Sequence, residues 1–256
     1  SYADLVSFEE MLQTSDVISL HVHLNKHTQK LIGLEQFKLM KVICTVPIKK
    51  KSTRIKGKNF KVVAGKPLYS YLLDKLKFCN FDEVYIDSDS NEIKNYAIKN
   101  KYKFINRLKK LSKDNANGNH LLNYHSSIIK SDIYFQLFVT APLLSITNIN
   151  KCISKLKNSK KNDSILTIVK DYSYCWFNGR SINYKNNTLP RSQDLNPIIR
   201  ETTGLYGIKK DALKKRKCRI GYKPIMYEIS PYEAIDINNQ ADLLFLDNFI
   251  KNKKTK

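Results

Sequence analysis

The chain has 256 residues, enough for one large domain or two small ones, and 42% hydrophobic with 11% aromatic content excludes a disordered chain. Its 45 Lys and Arg against 23 Asp and Glu leave a formal net charge of +22, a field that draws in anions. The lysines are interleaved with Asn and Ile (KNSKKND, NYKNN) and no nucleic-acid module accompanies them. The charge therefore reads first as a lysine-rich composition, ahead of dedicated nucleic-acid binding, and a nucleotide substrate would also profit from the field.

In chain order, the first forty residues alternate a helix (Ser7 to Thr14), a strand (Val17 to Val22) and a helix (Leu34 to Met40), a β-α piece with no sheet of its own. His21, His23 and His27 cluster there, but no Cys or acidic ligand completes a metal set. The pattern restarts at Val42 with a buried strand (VICTVP), a basic loop to Asn59 and a helix from Pro67 to Phe78. A strand at Glu83 to Asp87 and a helix at Asn91 to Asn100 follow, then a helix at Gly118 to Lys130 and a strand at Asp132 to Phe138. A helix at Thr147 to Asn158 and a strand at Ser164 to Val169 continue the alternation, which predicts a mostly parallel sheet covered by helices on both faces. Asn178-Gly179 marks a hairpin between Tyr172 and Tyr184, read as a dimerisation or lid insert. Strands at Thr203 to Ile208 and Ala234 to Ile237 and a helix from Gln240 to Lys251 close the chain. The apolar run Ile133 to Ile146 is interrupted and too short to span a membrane, no signal peptide opens the chain, and five scattered cysteines form no C-x-x-C pair. A reduced, cytoplasmic protein is the expectation.

In an open α/β sheet, ligands bind beyond the carboxyl ends of the strands, so the loop after the first strand is the place for chemistry. It reads Pro47-Ile48-Lys49-Lys50-Lys51-Ser52-Thr53-Arg54-Ile55-Lys56-Gly57-Lys58-Asn59. Cations and small hydroxyls after a buried strand suit a triphosphate, and equally a solvated basic loop. This run, with TRIKGKN, AGKPL and FDEVYIDSDS after it, resembles the acylneuraminate cytidylyltransferases (CMP-sialic acid synthetases), and the similarity extends from residue 41 to residue 251.

That resemblance implies a Rossmann-like nucleotidyltransferase fold over 41–256 and transfer of CMP from CTP to an acidic 2-keto sugar, by a homodimer. It implies that Lys49, Lys58 and Asp236 take part in the chemistry, and that Ser52, Arg54, Asn59, Arg107, Arg191 and Gln193 hold nucleotide and sugar. Lys49, Lys50 and Lys51 replace an Arg and two glycines of the family's loop, and Phe138 and Leu144 replace a Gln and an Arg at and after the end of the Asp132 to Phe138 strand. The closing Asp236-Ile237-Asn238 resembles the family's Asp-x-Asp pair; on a strand the two side chains would share one face and hold Mg²⁺. Two rival readings are a degenerate homologue that binds without turnover and a 3-deoxy-octulosonate cytidylyltransferase. Residues 1–40 resemble a different family, the D-2-hydroxyacid dehydrogenases, over one helix, one strand and one helix. The glycine-rich loop and the catalytic residues of that family are absent from the matching segment, so it implies a remnant without dehydrogenase chemistry.

Overall fold

The computed structural model describes residues 40–52 and 55–254. The elements expected in the first thirty-nine residues, the three histidines among them and Arg54 lie outside that range. Cα proximity divides the chain between Lys41 and Val42, and the described fold is that of the second unit.

β1 (Val42–Ile48) is seven residues long and buried along its whole length, as a strand covered on both faces must be. Two short strands, β2 (Val62–Val63) and β3 (Lys66–Pro67), pair antiparallel ahead of helix α1 (Leu68–Leu76). This helix buries Leu68, Leu72, Leu73 and Leu76, one stripe at helical spacing. β4 (Glu83–Ser88), α2 (Asn91–Lys99) and β5 (Lys103–Asn106) come next. α3 (Gly118–Ile128) starts in a capping box: Asn117 Oδ1 accepts the His120 N–H at 3.1 Å, and His120 Nδ1 accepts the Asn117 N–H at 3.3 Å. β6 (Ile133–Leu137) leads to α4 (Ile146–Asn158), capped by Ser145 Oγ, and to β7 (Ser164–Asp171). The hairpin of β8 (Trp176–Phe177) and β9 (Arg180–Ser181) turns at Asn178 (φ 49°) and Gly179 (φ 75°), the paired positive φ of a two-residue hairpin turn. β10 (Ile198–Lys209), α5 (Lys210–Arg216), β11 (Pro224–Glu228) and α6 (Gln240–Lys254) complete the unit.

Seven of these strands form one sheet in the order β11-β7-β10-β6-β1-β4-β5. Only β10 runs antiparallel to its neighbours within that sheet; the other adjacent pairs are parallel. This is the expected α/β architecture with a mostly parallel sheet. β10 can run against β7 because the intervening excursion returns directly to its edge without a crossover helix. Gly207 on β10 is required by packing: a Cβ there would lie 2.6 Å from Phe135 Cε1 and 2.8 Å from Ile165 Cγ2.

Three expectations need correction. The last strand before the closing helix does not form. Residues 231–234 make turns and 235–238 an irregular segment, in which the Ile237 N–H bonds to the Thr140 carbonyl at 2.9 Å and the Ile237 carbonyl is taken by Lys58. With its backbone groups spent on distant partners, the segment cannot join a ladder. β10 is twelve residues long rather than six, and its register against β7 shifts between Glu201 and Tyr206, where Thr203 has φ 58°. β5, β11 and α5 were not anticipated: β5 and β11 are short, partly exposed edge strands with weak apolar periodicity.

Candidate active site

The chain lays β4 and β5 on one side of β1 and then returns to place β6 on the other. That reversal makes a crevice beyond the carboxyl ends of β1 and β6, where open sheets bind ligands. A cleft of about 340 Å³ occupies it, walled by the loop after β1, the turn at Lys58–Phe60, Arg107, the start of α3 and the segment after β6. Of the residues singled out from sequence, Lys49, Ser52, Lys58, Asn59 and Arg107 all line this cleft.

Their side chains are partly committed within the protein. Lys49 Nζ lies 2.6 Å from Asp114 Oδ1 in a half-exposed pair. The Lys50 N–H donates to Asp89 Oδ1 at 2.7 Å, and Asn59 Nδ2 donates to the Lys49 carbonyl at 2.9 Å, so Asn59 braces the loop from behind. Lys58 is 7% exposed, and its ammonium donates to the Ile237 carbonyl at 2.5 Å. The bond fastens the segment holding Asp236 and Asn238 to the floor of the cleft.

Arg107 is buried at the end of β5, its Nε 2.6 Å from Asp87 Oδ1 and its Nη2 3.1 Å from the Asp87 carbonyl. The other carboxylate oxygen of Asp87 is 2.5 Å from His125 Nε2 in the last turn of α3. Burial by itself would raise the Asp87 carboxyl; the His125 hydrogen bond and the Arg107 charge outweigh it and hold the carboxyl below its ordinary value. Neither Asp87 nor His125 was singled out from sequence. The usable signal was an acidic residue in the buried carboxyl end of a central strand, a position where an unpaired charge is costly.

Asp236 and Asn238 line a second hollow of about 360 Å³ with Arg200, Glu201 and Thr203. They are not on a strand, yet their side chains meet: Asn238 Nδ2 donates to Asp236 Oδ2 at 2.7 Å, and the Thr203 hydroxyl donates to the same oxygen at 3.1 Å. Asp242 is used otherwise, accepting the N–H groups of Asn238 and Asn239 at the start of α6. Among the described residues no group of three or more His, Cys, Asp or Glu side chains converges. The donor set of one carboxylate and one amide oxygen fits a cation that takes most of its ligands from substrate phosphates and water, as Mg²⁺ does. Arg191 and Gln193 stand apart: both are exposed on a short turn between β9 and β10, Arg191 pairs with Asp194 at 2.7 Å, and neither lines the cleft or the hollow.

Residues 43–223 match the family model described as Cytidylyltransferase, and residues 1–45 match the NAD binding domain of D-isomer specific 2-hydroxyacid dehydrogenases. The chain is 29% identical over 208 residues to a Helicobacter pylori protein named pseudaminic acid cytidylyltransferase and UDP-2,4-diacetamido-2,4,6-trideoxy-beta-L-altropyranose hydrolase, a match covering 77% of this chain and 40% of that protein. It is 31% identical over 184 residues to the pseudaminic acid cytidylyltransferase of Campylobacter jejuni, covering 65% of this chain and 78% of the relative. The solved structure of a CMP:2-keto-3-deoxy-manno-octonic acid synthetase complexed with CTP has the same fold, with a TM-score of 0.62, 14% identity and coverage of 83% of this chain and 99% of that one. With the family match running from β1 to the residue before β11, across the strands and loops that build the cleft, the chain belongs to the cytidylyltransferase family.

Proposed function

We propose that the chain transfers CMP from CTP to an acidic nine-carbon 2-keto sugar of the pseudaminic or N-acylneuraminate type, releasing pyrophosphate. The observation that carries this reading is the shared wall: the cationic loop after β1 lines the switch-point cleft, and the Lys58–Ile237 bond ties that cleft to the Asp236–Asn238 segment. The names of the relatives support the same reaction class.

In the reaction, the anomeric hydroxyl oxygen bonds to the α-phosphorus as the bond to the bridging oxygen breaks, and the hydroxyl proton is released. Lys49, Lys51 and Arg107 offset the triphosphate charge, Ser52 offers a hydroxyl donor, and Asn59 keeps the loop in place. Lys58 aligns the Asp236 segment with the cleft. Asp236 and Asn238 would hold Mg²⁺, which when bound supplies charge neutralisation at the phosphate oxygens. Exposed Tyr174, Trp176 and Phe177 on the β8–β9 excursion fit a homodimer contact, and the free thiols and a nucleoside triphosphate substrate fit a cytoplasmic setting.

The test is pyrophosphate release with CTP, UTP, ATP and GTP, each against pseudaminic acid, N-acetylneuraminic acid and 3-deoxy-manno-octulosonate. Release confined to CTP with a nine-carbon acid is expected. Turnover with the octulosonate alone would move the chain to that specificity, and CTP binding without any release would make it a non-catalytic binder.

A further inference from the structure

The buried trio of Asp87, Arg107 and His125 asks for an explanation beyond folding. Asp87 and His125 are fully buried and Arg107 is 7% exposed. Withdrawing an ion pair from water is costly, and apolar side chains of similar volume commonly stabilise a fold as well or better. The trio stands where three elements converge: the end of β4, the residue after β5 and the last turn of α3. One of its members, Arg107, is also a wall of the cleft.

Two acceptors of Asp87 hold that wall, and a third holds His125. Oδ1 takes Arg107 Nε, the main-chain carbonyl takes Nη2, and Oδ2 takes His125 Nε2. A carboxylate held below its ordinary pKa only accepts, so Nε2 is the nitrogen that carries the proton. His125 Nδ1 is buried and has no hydrogen-bond partner among the described residues. The ring is thus oriented for Asp87 at the expense of its second nitrogen, which packing alone would not favour. On the guanidinium, Nε and one N–H of Nη2 are used, and Nη1 has no hydrogen-bond partner among the described residues, which leaves it for a ligand.

We propose that Asp87 and His125 are positioning residues: His125 fixes the Asp87 carboxylate, which locks the Arg107 guanidinium with Nη1 presented to an oxygen of the bound nucleotide. An arginine ordered before binding loses less conformational freedom when the ligand arrives, so the benefit falls on nucleotide affinity. The inference rests on the nucleotide reading of the cleft and adds to it two residues that touch no substrate.

The experiment uses the full chain, with CTP as the titrant in calorimetry and pyrophosphate release as a second readout. His125→Leu removes the donor to Asp87, while His125→Gln offers an amide N–H to the same oxygen. Loss of one oriented charge-assisted contact should raise the CTP dissociation constant about tenfold or more in His125→Leu, with circular dichroism unchanged. His125→Gln should recover to within about threefold of wild type, and KM for the sugar acid should stay put while KM for CTP rises. If Leu and Gln lose affinity equally, or Leu lowers only the melting temperature, the positioning role is overturned. Should His125→Leu not fold, Asp87→Asn decides: weakened CTP binding by a folded protein supports the role, and wild-type binding removes it. A wild-type chain that binds no CTP would overturn the nucleotide reading and this inference together, whereas a His125→Leu chain that binds like wild type would overturn this inference alone.

Discussion

Lys58→Met isolates what the ammonium contributes, since Met keeps most of the aliphatic stem and removes the charge. In the structure that ammonium donates to the Ile237 carbonyl from a position 7% exposed. A hydrogen bond from a charged donor contributes about 1.5–3 kcal/mol, and the carbonyl left behind in a poorly hydrated place retains its desolvation cost. For a unit of this size each kcal/mol moves the melting temperature by about 2–4 °C, so a drop of about 3–12 °C is expected. Lys110→Met is the control: it removes the same charge from an exposed position, where a change within about 0.5 kcal/mol is usual. Differential scanning fluorimetry on both variants reads the difference, and a CTP titration reads its consequence, because freeing residue 237 loosens Asp236 and Asn238 relative to the cleft. If Lys58→Met and Lys110→Met melt together, the bond that joins cleft and acidic segment does not exist in solution, and the shared-wall argument goes with it.

Asn238→Asp replaces the amide that now donates to Asp236 at 2.7 Å with a second carboxylate, so the variant should melt lower in EDTA and recover in millimolar Mg²⁺; a Mg²⁺ response no larger than wild type's would remove the metal assignment. Gly207→Ala places a methyl against Phe135 and Ile165 and should cost about 1–3 kcal/mol in urea unfolding, whereas an unchanged midpoint would contradict the packing of β10. At Asp163, burial raises the carboxyl, but the N–H groups of Lys223 and Tyr222 and the Ser164 hydroxyl lower it further, to a net depressed value. A depressed folded pKa contributes stability that is present above the ordinary carboxylate value near about 4 and lost as pH falls through the folded value. Asp163→Asn should therefore flatten the acid limb of a urea-midpoint profile, and parallel limbs would refute this. Burial raises the thiols of Cys44, of Cys79 to about 11 and of Cys152 to about 12, so a thiol reagent at pH 8 should label Cys175 and Cys218 promptly and the other three only on unfolding; rapid labelling of all five would show that the core opens.

The alternation of strands and helices from Val42 to Val169 was legible because it is written locally. β1 is a buried run that is apolar but for Thr45, and α1 and α4 bury residues three and four apart. The loop after β1 was legible for the same reason, since its cations follow directly on a buried strand and the topology then carries them to the switch point. Ala234 to Ile237 misled because its apolar pattern resembles a strand, while its hydrogen bonds go to Thr140 and Lys58, far away in the chain.

What local pattern cannot encode is which polar groups finally meet. Asp87 and Arg107 lie twenty residues apart and His125 a further eighteen. They converge because β4 and β5 pair in parallel with Asp87 opposite Ile105, and because α3 brings its last turn over the same strand ends. Arg191 and Asp236 show the converse: the family resemblance grouped them, and the fold leaves one on an exposed turn and the other in the hollow beside Thr203. A hydrogen bond forms or fails within a few tenths of an ångström, a tolerance set by strand register, helix rotation and rotamer together. Residue type and periodicity carry the elements and the charge of the cleft; the partners inside it exist only after the whole sheet has assembled.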